Sequence, residues 1–188
     1  STPLIAKMNP AATYNVIDFY HAGGVPAVMG ELISIMETDI PTVTGTSMGE
    51  NLKGFSSPDN EVIKTIKNPF SKTGGLGVLW GNLAPDSAVT KPAAIDPSML
   101  TFQGKARVFN SEQEANTAIL KEEIKEGDVI VIRYEGPKGG PGMPEMFKAM
   151  KLLHGMGMAK KVALVTDGRF SGTNNGCFIG HISPEAME

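Results

Sequence analysis

The sequence predicts a mixed α/β fold in which a helical N-terminal stretch leads into a strand-rich half with flanking helices. Apolar residues recur at helical spacing through residues 11–36, whereas beyond residue 75 they come in short β-rich runs bounded by turn formers. Two helical patterns interrupt those runs. The 22 Gly and 13 Pro residues cluster beside strands rather than in a low-complexity linker, as expected where backbone must turn tightly or approach a ligand. The strand-rich half reads as a barrel or a curled sheet.

The elements follow in order. AATYNVIDFYHA (residues 11–22) carries apolar side chains on a helical period, with Gly23-Gly24 as its stop. Pro26 opens a second helix, AVMGELISIM, with Val28, Leu32, Ile35 and Met36 on one face. DIPTVTGTSMGENLKGFSSPDN is polar and reads as a connector, placing a domain boundary within residues 54–68 and the division between domains at 60/61. GVLWGNLA, SAVTKPA, ARVFN, DVIVIRY and KVALVT are the expected strands. Ser111 and Glu114 have the spacing of a capping box, so a helix starts in SEQEANTAILKEEI. In PEMFKAMKLLHG, Pro144 marks the first turn, Gly155 follows the end, and Met146, Phe147, Met150 and Leu153 form the buried stripe.

Composition excludes several classes. A net charge of −3 gives no electrostatic case for nucleic acid or an anionic membrane. No run of about 18 apolar residues exists, so no membrane span is expected. STPLIAKMNP lacks the basic and apolar blocks of a signal peptide. The one cysteine, Cys177, cannot form an internal disulfide, which fits a reducing cytoplasm, and alone it cannot hold a metal cluster. It reads as a small buried residue, and the scattered His21, His154 and His181 read as structural.

Two strands end alike. DVIVIRYE runs into GPKGGPG and KVALVTD into GRFSGTNNG, so an acid closes each buried strand and a glycine-rich loop follows. In open α/β sheets ligands gather at the carboxyl ends of strands, and two such loops can wall one polar pocket. GPKGGPG lacks the Lys-Ser/Thr pair of a phosphate loop; it is either a tight turn or a set of backbone N–H groups facing an anion. Glu135 is either a surface charge or a ligand for a hard cation such as Mg²⁺. Ser171, in a G-x-x-S-G spacing unlike the acyl-hydrolase elbow, is either a turn former or a base or nucleophile in a strong local field. Asp167 and Arg169 beside it can simply pair with each other.

RYEGPKGGPGMPEM, VALVTDGRFSGTNNG and GHISPEA, together with TGGLGVLWGNLAPDSAVTK, HAGGVPAVMGELI and TVTGTSMGENL, resemble signature blocks of the dihydroxy-acid/phosphogluconate dehydratase family, in the same order along nearly the whole chain. The resemblance implies a hydro-lyase that converts a sugar acid or a branched dihydroxy acid to a 2-keto acid. It implies Mg²⁺ and an iron–sulfur cluster of 2Fe-2S or 4Fe-4S type, and a β-barrel-like swivelling C-terminal domain with flanking helices. By motif position Glu135 matches the Mg²⁺-ligating glutamate, Ser171 the serine held to be the base, and Thr173 a hydroxyl beside it. Gly139, Gly140, Arg169 and Gly172 are the expected substrate contacts.

The family's cluster cysteines lie in its N-terminal domain. The chain therefore reads as a fragment: residues 1–60 the end of that domain with its connector, and residues 61–188 the C-terminal domain, truncated and inactive alone. FSGTNNGCFIGHISPEA points to the aldonate branch, with the dihydroxy-acid branch of branched-chain amino-acid synthesis as the second reading. A stand-alone binding module is the third. The expected partners are the small acid, the remainder of the chain and a further copy of it, in the cytoplasm.

Overall fold

A computed structural model describes residues 2–9, 12–140, 142–171 and 176–187. The chain divides into two compact units, Ser1–Gly74 and Gly75–Glu188. In the first, α1 (Val16–His21) is shorter than the expected helix because Asn15 adopts an extended backbone and its N–H donates to Asp18 Oδ2 at 2.7 Å. Gly23 then takes φ 101°, a conformation open to glycine, and α2 (Gly24–Glu31) starts two residues ahead of Pro26. Val28 and Leu32 pack on a small core of Ile5, Ala22, Ala27, Val62 and Ile63. Ile35 does not join them. The α-helix stops at Glu31 and a 3-10 turn, Ile33–Ile35, carries Ile35 to the surface.

The polar stretch read as a connector contains a helix, α3 (Met48–Leu52). Ser47 Oγ accepts from Glu50 N–H (3.2 Å) and Glu50 Oε2 accepts from Ser47 N–H (2.9 Å), a reciprocal cap. Residues 61–74 belong to this unit because Val62 and Ile63 are core residues and Lys64 N–H donates to Ile5 O. The packing boundary thus falls beyond the 60/61 division read from the sequence.

The second unit is built on a six-stranded mixed sheet: β1 (Gly77–Gly81), β2 (Ala84–Thr90), β3 (Lys105–Phe109), β4 (Asp128–Ile132), β5 (Ala163–Thr166) and β6 (Cys177–Gly180). The spatial order is β1-β2-β6-β5-β4-β3. β3, β4, β5 and β6 run parallel, while β2 is antiparallel to both β6 and β1, so β1 and β3 are the edges. Every residue of β5 is buried, as a central parallel strand requires. β6 was not among the expected strands; CFIG is too short for its alternation to stand out.

Two helices return the chain between parallel strands, α4 (Glu112–Leu120) and α5 (Phe147–Gly155). Ser111 Oγ accepts from Glu114 N–H as the spacing predicts, but Glu114 reaches back to Asn110 N–H, one residue outside a strict capping box. Both helices share one core with β4, β5 and β6, which includes Ile119, Ile130, Leu164 and Phe178. Around α5 the fully buried residues are Met146, which precedes it, and Ala149, Met150 and Leu153 within it. Phe147 is 52% exposed, with Lys151 Nζ 5.3 Å from its ring centre. It leaves the expected stripe because the i, i+3, i+4, i+7 face begins at Met146 and Phe147 lies one step around the helix. Pro144 lies outside α5, and the left-handed turn after it falls on Gly157, not Gly155.

Leu153→Ala is expected to cost about 2–5 kcal/mol of stability, and Phe147→Ala no more than about 0.5 kcal/mol, read as urea-unfolding midpoints. Equal losses would contradict the packing of α5 given above.

Candidate active site

β4 and β5 are adjacent and parallel, so their carboxyl ends open on the same side and bring the two acid-glycine loops together. The contact is made by Asp167. Its buried carboxylate accepts from the N–H groups of Tyr134 (3.0 Å), Glu135 (2.9 Å) and Ala186 (3.0 Å). Asp167 therefore does not pair with Arg169, whose side chain is exposed and whose carbonyl accepts from Met146 N–H. The second acid, Glu185, accepts from Lys138 N–H (2.8 Å) and Gly139 N–H (2.7 Å). The amides of GPKGG do surround an anion, and it is the chain's own carboxylate.

Glu135 is 4% exposed, and its Oε1 accepts from Glu112 N–H at 2.7 Å, at the first residue of α4. Glu112 in turn places Oε1 against Lys148 N–H (3.2 Å) and Ala149 N–H (3.3 Å), in the first turn of α5. Each carboxylate satisfies helix-terminal donors that have no partner within the helix. A Cβ on Gly140 would stand 2.7 Å from Glu135 Cα, and one on Gly168 3.2 Å from Glu135 Cβ, so these glycines make room for Glu135. Gly140 N–H is spent on Gly136 O at 2.8 Å.

Ser171 is half-buried at the far end of the β5 loop, and its carbonyl accepts from Lys91 Nζ at 2.6 Å, just past the end of β2. Gly172 and Thr173 lie outside the described residues. Two cavities flank the loops. One of about 610 Å³ is walled by both loops, through Pro137, Lys138 and Asp167, and by His181 and Glu185. The other, about 360 Å³, lies on the Ser171 side and includes Lys91, Phe170 and Phe178 in its walls.

Residues 61–188 match the family model described as dihydroxy-acid/6-phosphogluconate dehydratase C-terminal, and residues 1–51 match the corresponding N-terminal model. The chain belongs to the dihydroxy-acid/6-phosphogluconate dehydratase family. It is 56% identical over 187 residues to a dihydroxy-acid dehydratase of Clostridium botulinum (strain Alaska E43 / Type E3), covering 98% of this chain and 34% of that protein. It is 54% identical over 189 residues to the dihydroxy-acid dehydratase of Carboxydothermus hydrogenoformans, and 52% over 187 residues to that of Aquifex aeolicus, covering 100% and 98% of this chain and 34% of each relative. The chain thus spans about a third of the length of these relatives. Their names do not support the aldonate reading of FSGTNNG. That reading rested on a short stretch of which residues 172–175 lie outside the described structure, whereas the identity runs the length of the chain.

Within this chain the described residues alone do not make a metal centre. Among them no group of three His, Cys, Asp or Glu side chains could hold an ion, and the Glu135 carboxylate is engaged by Glu112 N–H. Cys177 is a half-buried free thiol whose pKa is pushed up by burial, and a single thiol cannot hold an iron–sulfur cluster. The described residues of this chain therefore do not by themselves fit Mg²⁺ or an iron–sulfur cluster.

Three participants were not singled out from the sequence: Lys91, Glu112 and Glu185. Glu112 sits in the same S-E-Q-E cluster that revealed the α4 cap, and Glu185 in the GHISPEA block. Nothing local distinguishes Lys91 from a surface lysine.

Asp167→Ala leaves three partly or fully buried N–H groups without their acceptor, and is expected to cost at least about 3 kcal/mol at about 1–3 kcal/mol each. Thermal unfolding followed by circular dichroism reads it. Iodoacetamide at pH 8 should label Cys177 more slowly in the folded chain than in urea, since a raised pKa lowers the thiolate fraction. Equal rates would place the thiol in open solvent.

Proposed function

We propose that a protein carrying this chain is a hydro-lyase that dehydrates a 2,3-dihydroxy acid to a 2-keto acid, and that this chain supplies the base. The observation that carries the reading is the placement of Ser171, on a loop fastened to the Glu135 loop through Asp167 and held at its carbonyl by the Lys91 ammonium. The identity to proteins named dihydroxy-acid dehydratase supports a branched 2,3-dihydroxy acid, rather than an aldonate, as the substrate class.

The chemistry assigned to this chain is one proton transfer. Ser171 Oγ, as the alkoxide, takes the proton from C2, the C3 hydroxyl departs as water with that proton, which restores the alkoxide, and the resulting enol becomes the ketone. A serine hydroxyl is a poor base in water, and each unit by which its pKa falls corresponds to about 1.4 kcal/mol. Lys91 brings one positive charge to the backbone of the same residue. Arg169 is exposed and free of Asp167, so it is available as a substrate contact. Gly139 serves through its N–H only where Glu185 releases it.

The rest of the reading follows from the family. Mg²⁺ at Glu135 requires further ligands and release of the Glu112 amide, and an iron–sulfur cluster requires ligands other than Cys177. The six-stranded sheet is proposed to belong to a barrel-like swivelling domain. No described helix is long and apolar enough to cross a membrane, and action in the cytoplasm is part of the proposal. Val16, Ile17 and Tyr20 on α1 are exposed, which supports burial against more of the protein or a second copy.

The test uses the full-length protein, assembled anaerobically with iron, sulfide and Mg²⁺, and measures 2-keto acid formation from dihydroxy acids and aldonates. Turnover of a dihydroxy acid is expected, with Ser171→Ala slower by roughly 10²–10⁴-fold at unchanged cluster absorbance. Turnover of aldonates alone would refute the substrate class, and a near-normal Ser171→Ala rate would refute the base.

A further inference from the structure

We propose that the cavity beside Ser171, between β2 and β6, is the subsite for the branched alkyl group of the dihydroxy acid, with Ala94 and Ile95 as the walls that set its length. The proposal rests on the dehydratase reading above and adds which part of the substrate this chain selects.

β2 pairs with β6 only through Val89↔Gly180 and Thr90↔Ile179 before Pro92 starts a 3-10 turn, Pro92–Ala94. The cavity is lined from both sides of that break, by Val89, Ala94 and Ile95 on one and Phe170 and Phe178 on the other. The two Phe rings lie 5.5 Å apart between centres and tilted by 38°, forming a continuous apolar wall. At about 360 Å³ the space falls in the range of pockets for small ligands, roughly 300–1,000 Å³.

Its polar groups are few and mostly committed. Thr90 is buried, and its hydroxyl donates to Phe178 O at 3.0 Å. His181 lies on the rim, exposed. Lys91 Nζ holds Ser171 O, so the charged end of the cavity is the end that adjoins Ser171. A dihydroxy acid then fits in one sense, with its oxygens toward Ser171 and Lys91 and its alkyl branch against Ala94 and Ile95. A polyol chain placed there would lose water from its hydroxyls and meet carbon.

The experiment compares two substrates that differ by one methylene, 2,3-dihydroxy-3-methylbutanoate and 2,3-dihydroxy-3-methylpentanoate, on the full-length enzyme. Ala94→Leu narrows the cavity at that wall and is expected to shift the kcat/KM ratio about tenfold toward the butanoate; Ile95→Ala enlarges it and should shift the ratio toward the pentanoate. A single methylene in an apolar pocket discriminates by roughly 10–200-fold, so shifts of this size are measurable. Where Ala94→Leu fails to fold, Ile95→Ala carries the test alone. Equal losses on both substrates, or unchanged ratios, would overturn the subsite while leaving the hydro-lyase reading intact. A wild-type enzyme that turns over neither dihydroxy acid sinks both.

Discussion

The second unit depends on a carboxylate, Asp167, placed where β5 ends and surrounded by backbone. An anion this buried is tolerable only when hydrogen bonds replace its lost water. Asp167 obtains them from Tyr134, Glu135 and Ala186, and in doing so ties the end of β4, the end of β5 and the segment after β6 to one point. From there the same device repeats outward. Glu135 holds the start of α4 and Glu112 the start of α5, so both crossover helices are fixed at their amino ends by acids reached through the strand ends. The apolar core under them supplies the mass of the stability, and the acids decide where the helices begin.

This arrangement changes what the glycine loops are for. A glycine-rich turn after a strand suggests open amides waiting for a phosphate or carboxylate. Here the amides of Lys138 and Gly139 are filled by Glu185, and Gly140 and Gly168 are small because Glu135 passes between them. The loops serve first to bury acids close together, and the neighbouring Ser171 is steadied from the opposite strand by Lys91. Among the described residues the charged groups around the loops are the carboxylates of Asp167, Glu135 and Glu185 with the cationic side chains of Lys91, Lys138 and Arg169.

Much of this was legible in the sequence, and the failures have physical causes. Strand runs rich in Val and Ile, the Ser111 cap and the two acid-glycine strand ends all follow from local chemistry, and each is seen. α3 escaped because a five-residue helix has no apolar period to detect, although Ser47 and Glu50 carry the cap spacing. Phe147 was misplaced because propensity does not tell which residue opens a helical face. Sheet order is invisible locally: β6 sits between β2 and β5, so Lys91 and Ser171, far apart in the chain, meet only through a pairing that no short pattern announces. The substrate contact expected at Gly172 and the hydroxyl expected beside the base at Thr173 lie outside the described residues.

The closure by Glu185 has a consequence for biosynthesis. The acid that seals Lys138 and Gly139 follows them by 47 and 46 residues, and the third amide held by Asp167 belongs to Ala186. Synthesis runs from the amino end, so the strands β4 and β5 leave the ribosome before the residues that lock their loops together. Until those residues emerge, the amides of Lys138 and Gly139 are without the acceptor that the folded chain gives them. Arrest of translation before residue 177 would also withhold β6, and with it the pairing that joins β2 to β5.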